Sequence, residues 1–261
     1  MAAGPERAVD AGGDDDQRHH LAGRDLRAAL TTGTKGREIT WPDPDFGRIG
    51  DSMAGNPNAR LEAFCDGVFA IAITLLVIEV GLPAGREIDT NAAFWEALRD
   101  ILPSILAFLL SFVVILITWV NHRAALMLVA QSSPAFIYAN GLLLLTVAFI
   151  PFPTDMLGEF ITTDHAAPAM VIYDGVIAVQ ALAWVLIGLA ALKGGLTKDE
   201  AAAAVIRANT RNGVFAFVLY GAAAIAAFWI PQTVAILTAV SWGFWLVYGI
   251  TIHGKPDRTA A

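Results

Sequence analysis

The sequence predicts an all-α integral membrane protein with six transmembrane helices in one chain of 261 residues. Hydrophobic residues make up 56% of the chain, and the mean hydropathy is +0.57, which is too high for an ordinary soluble domain. Several apolar stretches reach about 20 residues, the length that an α-helix needs to cross the hydrocarbon core of a bilayer. The expected surroundings are therefore a lipid bilayer, and nucleic acid is not an expected partner.

A polar arm of residues 1–57 precedes the first span. Its charged, glycine-rich composition predicts a disordered cytoplasmic arm. His19 and His20 are adjacent in this arm and lack the fixed spacing of a metal site, so no metal site is predicted. Cys65 is the single cysteine, which excludes a disulfide within one chain.

The first span is expected at residues 60–82, where Pro83 and Gly85 stop it. The second is expected at residues 94–120 and contains Pro103. A proline inside an apolar span predicts either a kink in the helix or the point where an interfacial segment enters the membrane.

The third span is expected at residues 134–150, closed by Pro151 and Pro153, and the fourth at residues 168–192. A pair of glycines follows the fourth span and favours a helix end there.

A polar linker at residues 197–212 predicts a surface helix before the last two spans. These spans are expected at residues 213–229 and 231–252, separated by little more than Pro231, followed by a cytoplasmic tail at residues 253–261. Six spans bring the two termini to the same side of the membrane.

The basic residues predict which side that is. One group shares the side of the N-terminus: Arg48, Arg60, Arg123, Lys193, Lys198, Arg207, Arg211, Lys255 and Arg258. Arg86 and Arg99 fall on the other side. Because basic loops stay in the cytoplasm, both termini are expected to be cytoplasmic.

The opposite side is mostly acidic. Its acids are Glu87, Asp89, Glu96, Asp100, Asp155, Glu159 and Asp164. Such a surface can concentrate cations at a pore mouth, and it can equally be a solvated polar rim.

The first span carries a narrow aliphatic face. On an ideal helix of about 100° per residue, Gly67, Ile71, Thr74 and Ile78 lie within roughly 60° of one another, with Leu75 beside them. Residues at this spacing commonly form buried core or lipid contacts, and they can also line a cavity.

Asp66 lies about 120° from the middle of this face. A carboxylate within a membrane span is costly, so it is expected to have partners or a function. The alternative is that Asp66 lies at the headgroup level, where it is hydrated or complements the helix dipole.

The start of this span resembles a known family. Arg60, Phe64, Cys65 and Asp66 resemble the Arg-x-x-x-Phe-Ser-Asp signature that opens the first helix of the transmembrane protein 175 potassium channels, with Cys65 in place of serine. A thiol is a weaker hydrogen-bonding group than a hydroxyl. The continuation DGVFAIAITLLVIEV is similar to prokaryotic members, and SFVVILITWVNHR and FIPFPTDML resemble the ends of the second and third helices. The resemblance covers roughly residues 58–252.

The resemblance implies a homotetramer of six-helix subunits around a pore that the first helix lines. Carried over by position, Ile71 is the main pore constriction, and Leu75 and Ile78 continue it outward. Thr74 supplies a selectivity layer of four hydroxyls to a partly dehydrated potassium ion.

A structural network is expected beside this pore. Its residues come from the first helix and from the end of the second: Arg60, Phe64, Cys65, Asp66, Trp119, Asn121 and His122. A guanidinium, imidazole, indole or amide could donate to Asp66, and the resemblance implies bonds to the Trp and His. The expected role is a lock on the rotation of the first helix. The alternative for His122 is proton sensing near neutral pH.

The expected function is a potassium-permeable, leak-type cation channel of the plasma membrane, with the permeant ion in place of any cofactor. No segment resembles the TVGYG filter, so selection must come from pore radius and the hydroxyl layer, with a moderate or weak preference for potassium over sodium.

Two other classes of protein, a transporter and an enzyme, fit the sequence less well. A proton- or ion-coupled secondary transporter of a small solute is the alternative, although the halves of this chain lack the similarity that is typical of transporter repeats. An enzyme needs a nucleophile beside a base. The candidates for these roles are scattered along the chain without a catalytic motif: Ser111, Thr118, His122, Tyr173, Asp174 and His253. Tyr173 and Asp174 are interpreted as an interfacial tyrosine and a loop-side acid.

Overall fold

A computed structural model of the chain describes residues 57–81 and 88–253. Eight α-helices follow one another in these two ranges. They are α1 (Ala59–Leu75), α2 (Asn91–Asp100), α3 (Leu102–Met127), α4 (Pro134–Phe149), α5 (Pro151–Phe160), α6 (Ala166–Lys193), α7 (Glu200–Ala226) and α8 (Pro231–His253). The N-terminal arm, the loop with Pro83 and Gly85, and residues 254–261 lie outside the described residues, so the interpretations made of them stay predictions.

Within the described ranges, four helical stretches are long and apolar enough to cross a membrane, judged by length and composition. They are Ala59–Ile78, Leu102–Met127, Pro134–Phe160 and Ala166–Lys193. The described part of the chain is therefore helical and contains several membrane-spanning candidates, which is the expected fold class. Spans five and six stay predictions, assigned to α7 and α8.

Short polar side chains and prolines set where several helices begin. Thr90, Ser133 and Asp199 accept hydrogen bonds from backbone N–H groups in the first turns of α2, α4 and α7, with distances of 3.1, 3.3 and 2.7 Å. Pro103 lies in the first turn of α3, where a missing N–H costs no helical hydrogen bond. It therefore marks a boundary between α2 and α3, and the expected single helix of residues 94–120 is two helices.

The prolines after α4 do not end the third span as expected. Pro151 opens α5 directly after α4, and the two helices form one apolar stretch, Pro134–Phe160. The φ angle of proline suits the first turn of a helix, so the chain resumes helical structure at once.

The polar linker and the fifth span also form one element. α7 runs from Glu200 to Ala226 without a break, because the alanine-rich linker is as good a helix former as the apolar segment after it. α6 ends in a left-handed turn at Gly195, with φ +60. The Leu196 N–H donates to the Ala191 carbonyl over 2.9 Å, which closes the turn.

The connections at the end of the bundle where α1 begins are tied together. The α3–α4 loop pairs with the α6–α7 loop through two backbone hydrogen bonds, Ala130 to Leu196 at 2.8 Å and Lys198 to Leu128 at 3.0 Å. Asn58, directly before α1, donates from Nδ2 to the Val129 carbonyl over 3.0 Å. The start of α1 is thereby fixed to the loops of its own bundle.

Gly158 on α5 allows a close approach to α3. A Cβ at this position would lie 2.7 Å from Ser104 Cα, a backbone atom that cannot rotate away. Gly158→Ala should therefore push the two helices apart and lower the free energy of unfolding by about 1–3 kcal/mol. The measurement is the melting temperature of purified protein in detergent.

Gly141→Ala is the matched control, because nothing lies within 4 Å of a Cβ at that helical position. It should melt at or above the temperature of the unmodified protein, since alanine favours a helix over glycine. Equal melting of Gly158→Ala and the unmodified protein would contradict the close contact.

Candidate functional site

One side of α1 anchors it to the rest of the chain. Cys65, Phe69 and Ala72 are buried on this side, and Leu76 continues the same stripe into the 3₁₀ turn Leu76–Glu79. These positions recur every three or four residues, so they form one strip along the helix. They pack in a single hydrophobic core with residues of α3 and α4–α8, such as Ile115 and Tyr173.

The other side of α1 is left uncovered by the described residues. Ile71 is 60% exposed, Ile78 70% and Leu75 40%, so all three expected constriction residues lie here. Nothing lies within 4 Å of a Cβ at Gly67, which belongs to the same face. An apolar face of this kind is stable only against lipid or another protein surface.

Thr74 shares the uncovered face, and its hydroxyl hydrogen is turned inward. Its Oγ1 donates to the Ile71 carbonyl over 2.8 Å and lies 3.1 Å from the Ala70 carbonyl. Because the hydrogen is used by the backbone, the oxygen presents lone pairs to the outside. Thr74 can therefore act as an acceptor toward a cation.

The 3₁₀ turn after α1 changes the register of the aliphatic face. Residues three apart in a 3₁₀ helix eclipse one another, whereas on an ideal α-helix they differ by about 60°. Ile78 therefore moves toward the line of Leu75 and away from that of Thr74. This effect is set by the backbone and was not expected from α-helical spacing.

Asp66 is exposed and receives a hydrogen bond from α3. Trp119 donates from its indole Nε1 to Asp66 Oδ1 over 2.8 Å. The first helix begins at the end of the bundle where α3 finishes, so the expected meeting of these two residues is observed. Of the other expected network members, Cys65 is buried, whereas Arg60, Phe64 and Asn121 are exposed.

His122 is buried and is held by α4. Its Nε2 lies 2.9 Å from Asn140 Oδ1. The Asn140 amide donates to the Phe136 carbonyl over 2.8 Å, so its oxygen faces the imidazole and Nε2 carries the hydrogen. The ring also lies 5.5 Å from that of Phe69 and 6.4 Å from that of Trp184, between centroids.

Asn140 and Trp184 were missed by sequence reasoning. An asparagine inside an otherwise apolar span is a signal for an interhelical hydrogen bond, and it was available in the sequence. The His122 imidazole, on α3, thus contacts residues of α1, α4 and α6. The Trp119 indole donates instead to Asp66.

Further polar groups meet inside the bundle, away from α1. Ser111 Oγ lies 2.6 Å from Thr154 Oγ1 and 3.1 Å from the hydroxyl of Tyr173. Gln180 donates to Thr118 Oγ1 over 2.7 Å. Ser111, Thr118 and Tyr173 lie far apart in the sequence, and each is paired with a residue of another helix.

The interpretation of Asp174 as a loop-side acid is wrong. Asp174 lies within α6 and is 0% exposed, and it bonds with Thr238 of α8.

Among the described residues, no group of three His, Cys, Asp or Glu side chains is placed to hold a metal ion.

Comparisons with known proteins agree with the resemblance. The family model described as "Endosomal/lysosomal potassium channel TMEM175" matches residues 60–151, which include α1 to α4. A potassium channel of Chamaesiphon minutus is 49% identical over 117 residues, which is 45% of this chain and 57% of that protein. A potassium channel of Streptomyces collinus is 42% identical over 130 residues, 49% of this chain and 62% of that protein. The matched part thus spans about six tenths of each of these two relatives.

A solved structure extends the likeness to nearly the whole bundle. The crystal structure of a TMEM175 homologue from Chamaesiphon minutus, described as a lysosomal potassium-selective channel, has a TM-score of 0.63 and 35% sequence identity. The alignment covers 72% of this chain and 97% of that one. With its signature residues on α1 and this shared fold, the chain belongs to the TMEM175 family.

Proposed function

We propose that this chain is one subunit of a potassium-permeable, leak-type cation channel whose pore is lined by α1. The observation that carries the proposal is the uncovered face of α1, with Ile71, Leu75 and Ile78 exposed around an outward-facing threonine oxygen. The names of the family and of the two bacterial relatives, which are potassium channels, support the choice of ion.

The uncovered face favours an assembly of several copies. A single bundle encloses no pore along α1, because the face lies on its outside. Four copies around one axis would cover four such faces at once and leave a narrow passage between them. Closed cyclic symmetry of this kind lets one surface patch serve every subunit. The proposed assembly is a homotetramer of six-helix subunits, with α7 and α8 as the fifth and sixth spans.

The passage would combine a hydrophobic constriction with an oxygen layer. A ring of Ile71 side chains, continued by Leu75 and Ile78, excludes water when narrow and can gate by dewetting. The Thr74 oxygens offer a weak ligand to an ion that has lost part of its hydration shell. Potassium has a lower charge density than sodium and loses water more readily, so such a passage favours potassium.

Asp66 and Trp119 would set the rotation of α1 in this assembly. Their hydrogen bond, 2.8 Å long, joins α1 to α3 at one end of the bundle. A rotation of α1 that breaks this bond would also turn Ile71 away from the axis. Asp66 thus acts through the placement of the pore residues.

The proposed location is the plasma membrane, with both termini in the cytoplasm. The excess of basic residues on the side of the N-terminus supports this orientation. It places the start of α1 at the cytoplasmic end of the pore and the 3₁₀ turn toward the outer end.

Ile71→Asn tests the constriction. An amide at this position should hydrate the narrowest part of the pore, so single-channel conductance should rise several-fold in planar-bilayer recordings. Leu145→Asn is the control, because Leu145 is an equally exposed aliphatic residue on α4. It should leave conductance unchanged. Unaltered conductance of Ile71→Asn in intact tetramers would remove Ile71 from the ion path.

Thr74→Ala tests the oxygen layer. The unmodified protein should show a reversal potential that favours potassium when potassium opposes sodium across the bilayer, and Thr74→Ala should move it toward zero. Thr74→Ser keeps the hydroxyl and should retain the original potential. The role fails if alanine and serine give the same reversal potential.

Asp66→Ala tests the rotation lock. Loss of the hydrogen bond from Trp119 should lower the free energy of unfolding by about 1.5 kcal/mol, the lower end for a bond to a charged group. Trp119→Phe removes the same bond, so the double variant should lose little more than either single variant. Melting temperature and tetramer yield are the measurements. Additive losses, or normal yield and melting of Asp66→Ala, would contradict the lock.

A further inference from the structure

Asp174 is a carboxyl group fully enclosed in the helix bundle. It lies in the third turn of α6 and is 0% exposed. Thr238 Oγ1, on α8, lies 3.2 Å from each of its two oxygens. A single hydroxyl is thus placed evenly between the two oxygens of the acid.

The neighbouring hydroxyl hydrogens are used elsewhere. Thr154 donates to the Ile150 carbonyl, so Ser111 donates to Thr154 and the hydroxyl of Tyr173 donates to Ser111. The Tyr173 hydroxyl therefore donates to Ser111 and does not donate to Asp174.

The hydroxyl hydrogens of Tyr220 on α7 and Ser241 on α8 are also used elsewhere. Ser241 donates to the Thr238 carbonyl over 2.8 Å, so the hydroxyl of Tyr220 donates to Ser241 over 2.9 Å. Each of these two chains of donors ends on a backbone carbonyl, which fixes its direction. Thr238 is left as the donor for Asp174.

Among the described residues, no positive charge faces Asp174 from the helices packed against α6. In the described part of the chain, its titratable neighbours are Tyr173 on the same helix and Tyr220 on α7. α8 brings the hydroxyl of Thr238, and the carboxyls of α5, Asp155 and Glu159, are not bonded to Asp174. On α4, the titratable Tyr138 is 80% exposed and points away from the bundle.

An ionised carboxylate in this position would be poorly supported. Two charged oxygens would share one hydrogen at 3.2 Å, on a side chain that is 0% exposed. Burying a charge without a counter-charge or several donors costs several kcal/mol. A protonated carboxyl removes this cost, because its O–H can donate to Thr238 Oγ1 while its C=O accepts the threonine hydrogen.

We propose that Asp174 and Thr238 form a proton-binding site inside the subunit, in which the neutral carboxyl exchanges a reciprocal pair of hydrogen bonds with the hydroxyl and holds α8 against α6. The ligand of this site is a single proton. None of its residues lies on α1, so the site stands apart from the proposed ion path.

Infrared spectroscopy of the full-length protein in detergent at pH 7 tests the site. A protonated carboxyl has a C=O stretching band that an ionised carboxylate lacks. The difference spectrum between the unmodified protein and Asp174→Asn should contain one such band, and the band should shift in D2O. Asp164→Asn is the control, because Asp164 is an exposed acid near the start of α6. It should produce no such band.

Thr238→Val provides a second arm that does not depend on the folding of Asp174→Asn. Valine keeps the shape of threonine and removes its hydroxyl, so the carboxyl band should move to higher frequency.

Asp174→Asn replaces the carboxyl with a neutral and nearly isosteric amide. Its melting temperature should therefore stay within a few degrees of that of the unmodified protein. Absence of the band at pH 7, or a band that Thr238→Val leaves in place, would overturn the proposal. A melting temperature that depends on sodium or potassium concentration only when Asp174 is present would overturn it too, by assigning the site to a metal cation.

Discussion

The structure depends on the unequal sides of α1. One side is bound into the core of its own bundle by Cys65, Phe69 and Ala72, and the opposite side has no partner among the residues that the structure describes. A helix that is apolar on both sides needs a second hydrophobic surface, which water cannot provide. The site, the proposed assembly and the proposed conduction path all follow from this one constraint.

Several polar side chains form pairs between helices. Asp66 with Trp119, His122 with Asn140, and Asp174 with Thr238 each join two different helices. In an apolar environment an unpaired polar group is costly, so each pair favours one rotation of its two helices. Since van der Waals packing alone allows helices to slide and rotate more freely, these pairs give the bundle a defined register.

The sequence predicted the apolar spanning stretches better than it predicted where the helices end. Apolar length indicated the four spanning stretches, because crossing a bilayer requires about 20 apolar residues whatever the fold. Pro151 and Pro153 were interpreted as an end, yet α5 starts at Pro151, because proline fits the first turn of a new helix as well as it stops an old one. The continuity of α7 was missed for a related reason: a charged, alanine-rich segment has a high helix propensity and does not have to end where the apolar residues begin.

The amino-acid sequence was enough to predict the all-helical membrane class, the aliphatic face of α1 and the family, because these depend on composition, period and a short local signature. It also placed Asp66 near Trp119, since the side of the membrane on which each helix ends follows from counting spans. The folded bundle was needed to show that His122 turns to Asn140, that Ile78 moves toward the line of Leu75, and that Asp174 is enclosed beside Thr238. These features depend on the rotation of each helix about its axis and on a local change of helical pitch. Such rotations are set by contacts between residues far apart in the chain, which no local pattern records.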